Sequence, residues 1–335
     1  MRAMVLEHPA PVSESPLHLR DWPDPEPGKR QIRIAVRCCG VCHTDLHIVE
    51  GELQLPRLPI IPGHQIVGTV DARGADANKF REGERVGVPW LFHTDGVCSF
   101  CKRGQENLCD HAEFTGLHAN GGYADYMVVD EDFAYPLPPA FDDRHAAPLL
   151  CAGIIGYRSF RLSGARRGDR IGLYGFGASA HIVLQFARHL GCEVYVFSRG
   201  EAHREMAMRL GAAWAGDAKD ELAVKLEAAI VFAPAGGLVP LALRAARKGG
   251  TVALAGITMS PIPQLDYDLL YEERALRSVA NSTRQDAREF LELAAEVPVE
   301  TEVTEFALED ANRALQALKS SEINGAAVLR IASPN

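Results

Sequence analysis

The chain lacks an excess of positive charge, and that absence removes one class of function at once. Lys+Arg number 35 against 44 Asp+Glu, for a formal net charge of −9. No basic patch is visible in the sequence, whereas a nucleic-acid backbone demands one. A long apolar run is missing as well. The longest uncharged stretch, Ala228 to Leu243, is broken by Pro234 and the pair Gly236-Gly237. It reads as strand, turn and helix start, not as a membrane span. The N-terminal MRAMVLEHPAPVSES holds too short an apolar segment, and too early an acid, for a signal peptide,. The expectation is a cytoplasmic protein with neither a membrane nor a nucleic-acid partner. Internal repeats and low-complexity segments are also absent, apart from the Pro-rich turn DWPDPEPG.

What is present belongs to a globular chain. Its 335 residues exceed one ordinary core and predict two domains, and 47% hydrophobic with 24% charged residues is an ordinary soluble composition,. From Gln31 to about Ala147, short β-branched runs such as QIRIAVRCCG and HQIVGTVDARG alternate with Gly and Pro, the pattern of a strand-rich domain with long loops. From about Asp169 the texture changes. RIGLYGFGASAHIVLQFARHLGCEVYVFS is strand, glycine turn, helix and second strand, and the alternation then repeats. That predicts an α/β fold with a parallel, doubly wound sheet. The final apolar run, AAVLRI, suits a closing strand that returns to the first domain.

The glycine turn carries the first chemical signal. Gly175-x-Gly177-x-x-Ala180 follows a strand and opens a helix. The first glycine permits the turn, the second lets a pyrophosphate approach the backbone, and the small third residue lets helix pack on strand. Phosphates then meet the free amides of the helix start, at Ala178, Ser179 and Ala180. As a bare pattern this is only a tight strand-to-helix turn; the flanking elements make it a dinucleotide site. The acid expected at the end of the second strand is missing, and Ser198-Arg199 stands there instead,. An isolated arginine is commonly one solvated charge among many, but beside a serine it suits a 2′-phosphate, so NADP is favoured over NAD.

The eight cysteines are expected to remain reduced, and they cluster,. Cys98, Cys101 and Cys109 follow Asp95 at gaps of two, two and seven residues, the ladder of a zinc clip whose first rung is a carboxylate. A carboxylate binds zinc about as closely as an imidazole does, so a filled site that fixes a long loop is expected. Elsewhere CGVCHTDLH, IPGHQIVG and LLCAGIIGY hold Cys42, His64 and Cys151. Singly, Cys151 reads as a buried small residue and His64 as a structural histidine. Together, Cys₂His is a known catalytic zinc set that keeps one position open.

GVCHTDLH, GH, the cysteine loop, GGYADY, CAG, the glycine turn and KGGTVALAGI occur in that order along nearly the whole chain. In this the chain resembles a zinc-dependent alcohol dehydrogenase of the medium-chain dehydrogenase/reductase superfamily. The resemblance implies a GroES-like catalytic domain over residues 1–147 and 281–335, with a Rossmann domain over 148–280. It implies two zinc ions per chain. One is catalytic, on Cys42, His64 and Cys151; the other is structural, on Asp95, Cys98, Cys101 and Cys109. Thr44 resembles the hydroxyl that takes the substrate's proton and passes it, through the nicotinamide ribose, to His47 and solvent. Asp45 resembles the acid that orients His64, and His43 the residue that contacts the cofactor pyrophosphate. Leu53, Trp90 and Leu117 look like pocket residues by position, with apolar core an almost equal alternative.

Two positions depart from the family pattern: Gln65 stands where Glu usually follows the zinc histidine, and NGAAVL replaces a Gly-Arg before the last strand. The implied activity is reversible hydride transfer between a primary or simple secondary alcohol, its aldehyde or ketone, and NAD(P), by a homodimer or homotetramer. A reductase of enals, quinones or cinnamyl-type aldehydes is the alternative within enzymes, and a non-catalytic dinucleotide-binding protein the alternative outside them.

Overall fold

In a computed structural model, which describes residues 1–297 and 299–331, the chain divides into two units. The first comprises Met1–Cys151, Asn281–Ala295 and the chain from Thr301 onward; the second comprises Ala152–Ala280 and Glu296–Glu300.

The first unit is built around one long strand, Gln31–Val41, whose Ile32, Ile34 and Val36 are fully buried. Strands Ile66–Arg73, Tyr126–Asp130 and Ala326–Arg330 all pair with it antiparallel. The sheet runs in the order 303–307, 326–330, 31–41, 66–73, 85–88, 135–136, with 126–130 joined to 31–41 off that path. The register sets Cys39 opposite both Ile66 and Leu329. Cys42 and His64, each just beyond the end of its strand, therefore emerge at the same end of the sheet. Gln65 lies there too: its carbonyl accepts from Gly40 N at 2.9 Å, and its side chain fills the space where a Cβ on Gly40 would be.

A second tie within this unit spans almost two hundred residues. Glu106 accepts from Arg284 N at 2.7 Å and from Arg284 Nε at 2.9 Å. The carboxylate thus satisfies a free amide at the start of helix Arg284–Glu296 and the arginine's charge together,.

The second unit is the parallel sheet that the alternating pattern predicts. Six strands, all parallel, lie in the order 214–216, 193–197, 170–174, 226–231, 246–254, 275–278. Numbered along the chain this is 3-2-1-4-5-6, the Rossmann order, whose direction reverses between 170–174 and 226–231, where such folds bind a dinucleotide. Helix Ala178–His189 starts directly after the glycine turn and buries Ala180, Ile182, Val183, Leu184, Phe186 and Ala187. Among the described residues no helix is long and apolar enough to cross a membrane.

Candidate active site and metal centres

Strand Gln31–Val41 leads into Cys42, which is extended (φ −130°) and caps the start of the short helix His43–Val49. Asp45, three residues on, ties this corner together and is completely buried. Its Oδ2 accepts from Cys42 N at 2.9 Å, satisfying an amide that the helix start leaves free. Its Oδ1 accepts from Gly63 N at 3.1 Å and lies 2.9 Å from Nδ1 of His64. One carboxylate therefore holds the backbone beside two candidate ligands and orients the ring of one of them.

That orientation turns Nε2 of His64 toward Cys151, which follows the buried turn Ala147–Leu150. His64 Nε2 is 3.3 Å from Cys151 Sγ, and the two thiol sulfurs are 4.0 Å apart. All three donor atoms lie within 4.8 Å of one another. Crowding sets their protonation. Cys42 is drawn well below the usual thiol range, first by the bond from Cys151 and then, against desolvation, by His64. Cys151 is pushed well above that range by the same bond and by burial. Burial alone would lower His64, but Asp45 and Cys42 outweigh it and raise it to about 10. Two thiolates and a neutral imidazole match a dication in charge, so the donor set fits zinc.

Thr44 is nearly buried, its Oγ1 3.8 Å from Cys42 Sγ. His47 is one turn further along the helix, with Nδ1 2.5 Å from Glu52 Oε2. His43, at the helix start, is exposed. Trp90 meets the His64 ring edge-on at 4.9 Å and stacks on Phe114 at 5.0 Å. Leu117 is buried in the first unit's core, while Leu53 and Trp90 pack against that core half-buried.

The second donor cluster is the cysteine loop. Asp95, Cys98, Cys101 and Cys109 offer donor atoms within 4.8 Å of one another. Backbone amides point at three of them, and burial pushes the fourth, the Cys101 thiol, up to about 12. Cys98 Sγ accepts from Cys101 N, and Cys109 Sγ from His111 N, at 3.4 Å each. Asp95 Oδ1 accepts from Cys98 N and Val97 N at 2.9 Å each. These two amides hold the Asp95 carboxyl well below the usual carboxylate range,. Both bonds fall on Oδ1, so the other oxygen takes neither. The set suits a tetrahedral zinc with one oxygen and three sulfur donors.

In the second unit Gly175 sits at φ +90°, and an added Cβ would stand 2.9 Å from Ala233, so no other residue closes this turn without strain. Gly177 precedes the helix without a side-chain cap, leaving the amides of Ala178, Ser179 and Ala180 to an outside partner. Ser198 is buried and Arg199 exposed. Arg204 donates from Nη1 to the carbonyls of Ser198 at 3.0 Å and Arg199 at 3.3 Å. The sequence reading did not single out Arg204, Phe114 or Glu52. Only Glu52 had a local signal, its place just past the glycine that ends the helix.

The family described as alcohol dehydrogenase GroES-like domain matches residues 28–139, and the one described as zinc-binding dehydrogenase matches 180–296. A probable alcohol dehydrogenase, AdhA, of Mycobacterium tuberculosis is 48% identical, covering 99% of this chain and 97% of its own. An alcohol dehydrogenase of Geobacillus stearothermophilus is 32% identical over 99% of this chain and 100% of its own. A solved cinnamyl alcohol dehydrogenase of Sorghum bicolor superposes with a TM-score of 0.90 at 26% identity, covering 98% of this chain and 97% of that one.

Proposed function

The chain belongs to the zinc-dependent alcohol dehydrogenases of the medium-chain dehydrogenase/reductase superfamily, and from that premise we propose that Cys42, His64 and Cys151 hold its catalytic zinc. It is an oxidoreductase that interconverts small-molecule alcohols with their aldehydes or ketones at the expense of a nucleotide cofactor. The observation that carries the ligand assignment is the convergence of three donor atoms from positions 42, 64 and 151 within 4.8 Å. When bound, zinc at this site supplies a Lewis acid that makes an alcohol hydroxyl easier to deprotonate.

The protein's own groups do the rest. Asp45 fixes the His64 ring so that only Nε2 faces the other donors, the usual work of a carboxylate behind a ligating imidazole. The Thr44 hydroxyl takes the substrate's proton, and His47 receives it further out. Leu53, Trp90 and Leu117 form the apolar wall, which sorts substrates by size at about 1–3 kcal/mol per methylene. The stacked Trp90–Phe114 pair beside His64 favours one second reading, a preference for flat aromatic aldehydes of the cinnamyl type.

Asp95, Cys98, Cys101 and Cys109 hold a second, structural zinc, giving two per chain. The dinucleotide lies on Gly175, Gly177, Ala178, Ser179 and Ala180. NADP is preferred through Ser198 and Arg199. The reading includes a cytoplasmic homodimer or homotetramer; for the compartment its support is eight free cysteines,.

The decisive experiment replaces one ligand. Cys42→Ser or Cys151→Ser is expected to abolish turnover while dinucleotide binding, followed by fluorescence, stays at wild-type strength. Full activity in either variant overturns the assignment.

A further inference from the structure

Helix His43–Val49 does not simply fray. Gly51 N donates to Ile48 O at 3.1 Å and Glu52 N to His47 O at 2.9 Å, with Gly51 at φ +74°. This is the Schellman closure, in which a left-handed glycine turns the chain back over the last helical turn. A Cβ at Gly51 would be strained by that φ and would stand 2.9 Å from Pro9 Cβ. The closure brings residue 52 against residue 47, where an apolar pair is the common outcome. Here a carboxylate meets an imidazole, Glu52 Oε2 lying 2.5 Å from His47 Nδ1.

The two side chains differ in their access to water. His47 is 15% exposed and Glu52 51%. The other carboxylate of this turn, Glu50, is already engaged by Val12 N at 2.8 Å and by Lys319 Nζ at 2.7 Å. We propose that Glu52 is the last protein group on the proton's path out of the active site, taking it from His47 and releasing it to water. The inference rests on the reading of His47 as the outer relay group given above. In each alcohol oxidation the substrate's proton reaches the imidazole. The Nδ1 proton then passes to Glu52 Oε2, and the carboxyl gives it to water. Exchange with water, which takes the proton off Nε2 and returns one to Nδ1, restores the starting tautomer, and no other reactant is needed.

The test separates hydride transfer from proton release. In a stopped-flow single turnover of the zinc-loaded enzyme, nicotinamide absorbance reports the first and a pH-indicator dye in weak buffer the second. In wild type the two signals rise together. In Glu52→Gln, which still accepts a hydrogen bond but takes no proton, the dye signal is expected to lag by about tenfold. That is less than the 10²-fold or more typical of a lost acid–base group, because water partly substitutes. Added imidazole buffer restores the rate, and Glu52→Asp remains close to wild type. A ¹⁵N-histidine spectrum of the substrate-free protein gives a second readout. His47 is expected to hold its proton on Nδ1 in wild type and in Glu52→Gln, and to mix tautomers in Glu52→Ala. Synchronous signals in Glu52→Gln, with His47→Ala slowed, overturn the role of Glu52 alone. Wild-type rates in His47→Ala overturn the relay reading beneath it.

Discussion

Asp45 Oδ1 and His64 Nδ1 lie 2.9 Å apart with both side chains wholly buried, and the same carboxylate reaches Cys42 N at 2.9 Å through its other oxygen. Orientation of one ligand and placement of another thus depend on a single residue that touches no substrate. Asp45→Asn keeps the size of the side chain but loses the charge that opposes the imidazole N–H. Zinc affinity at the catalytic site is expected to fall about 10–100-fold. Chelator competition measures it, and an unchanged affinity would show that Asp45 serves only the fold.

Zinc uptake by the metal-free protein is expected to depend steeply on pH. His64 is raised to about 10 there, because Asp45 and Cys42 outweigh the effect of burial. Cys151 is likewise raised, by its bond to Cys42 and by burial, whereas Cys42 is already drawn toward the thiolate. Below those raised values the incoming ion must displace about two protons, so affinity rises about 100-fold per pH unit toward alkaline pH. Competition titrations at pH 6, 7 and 8 check the slope. A flat profile would mean the donors are already deprotonated.

Elemental analysis of purified enzyme is expected to give two zinc ions per chain, and Asp95→Ala one. The variant should melt lower, at roughly 2 °C for each kcal/mol lost in a chain of this size. Turnover per remaining zinc is expected to stay near wild type, because the loop lies outside the catalytic donor set. A single zinc in the wild type would remove the Asp95 site from the account.

Cofactor choice is expected to follow Ser198 and Arg199. A charge-assisted contact of about 1.5–3 kcal/mol corresponds to a preference of about tenfold to a hundredfold for the phosphorylated cofactor. Ser198→Asp places a carboxylate at the strand end, where it repels a phosphate and accepts from ribose hydroxyls. Comparing kcat/KM with NADP and NAD in both proteins tests this, and a tenfold wild-type preference for NAD defeats it.

Local chemistry was legible in the sequence wherever one short segment carries it. The cysteine ladder from Asp95 to Cys109 is written within one loop. Strand, Gly175-x-Gly177 and helix are consecutive, so the dinucleotide turn follows from backbone sterics alone. The alternation of strands and helices predicts a parallel sheet, because a parallel crossover needs a connection of about helix length. The Schellman closure at Gly51 is equally local, although the sequence reading did not single it out. Its glycine and the H-x-x-x-x-E spacing of His47 and Glu52 stand side by side in the chain.

Non-local partners were beyond such reading. Nothing in the sequence pairs Glu106 with Arg284, or stacks Trp90 on Phe114, because those contacts exist only after the sheet sets its register and the chain returns. The sequence determined which donor types were present at positions 42, 64 and 151, and resemblance alone joined them. The tertiary structure decided that a shared sheet register brings Cys42 and His64 to one end, that the turn at Ala147–Leu150 delivers Cys151, and that Asp45 aims the ring. The physical reason is distance along the chain: periodicity and propensity act over a few residues, whereas this ligand set requires a folded core to hold side chains more than a hundred residues apart within 4.8 Å.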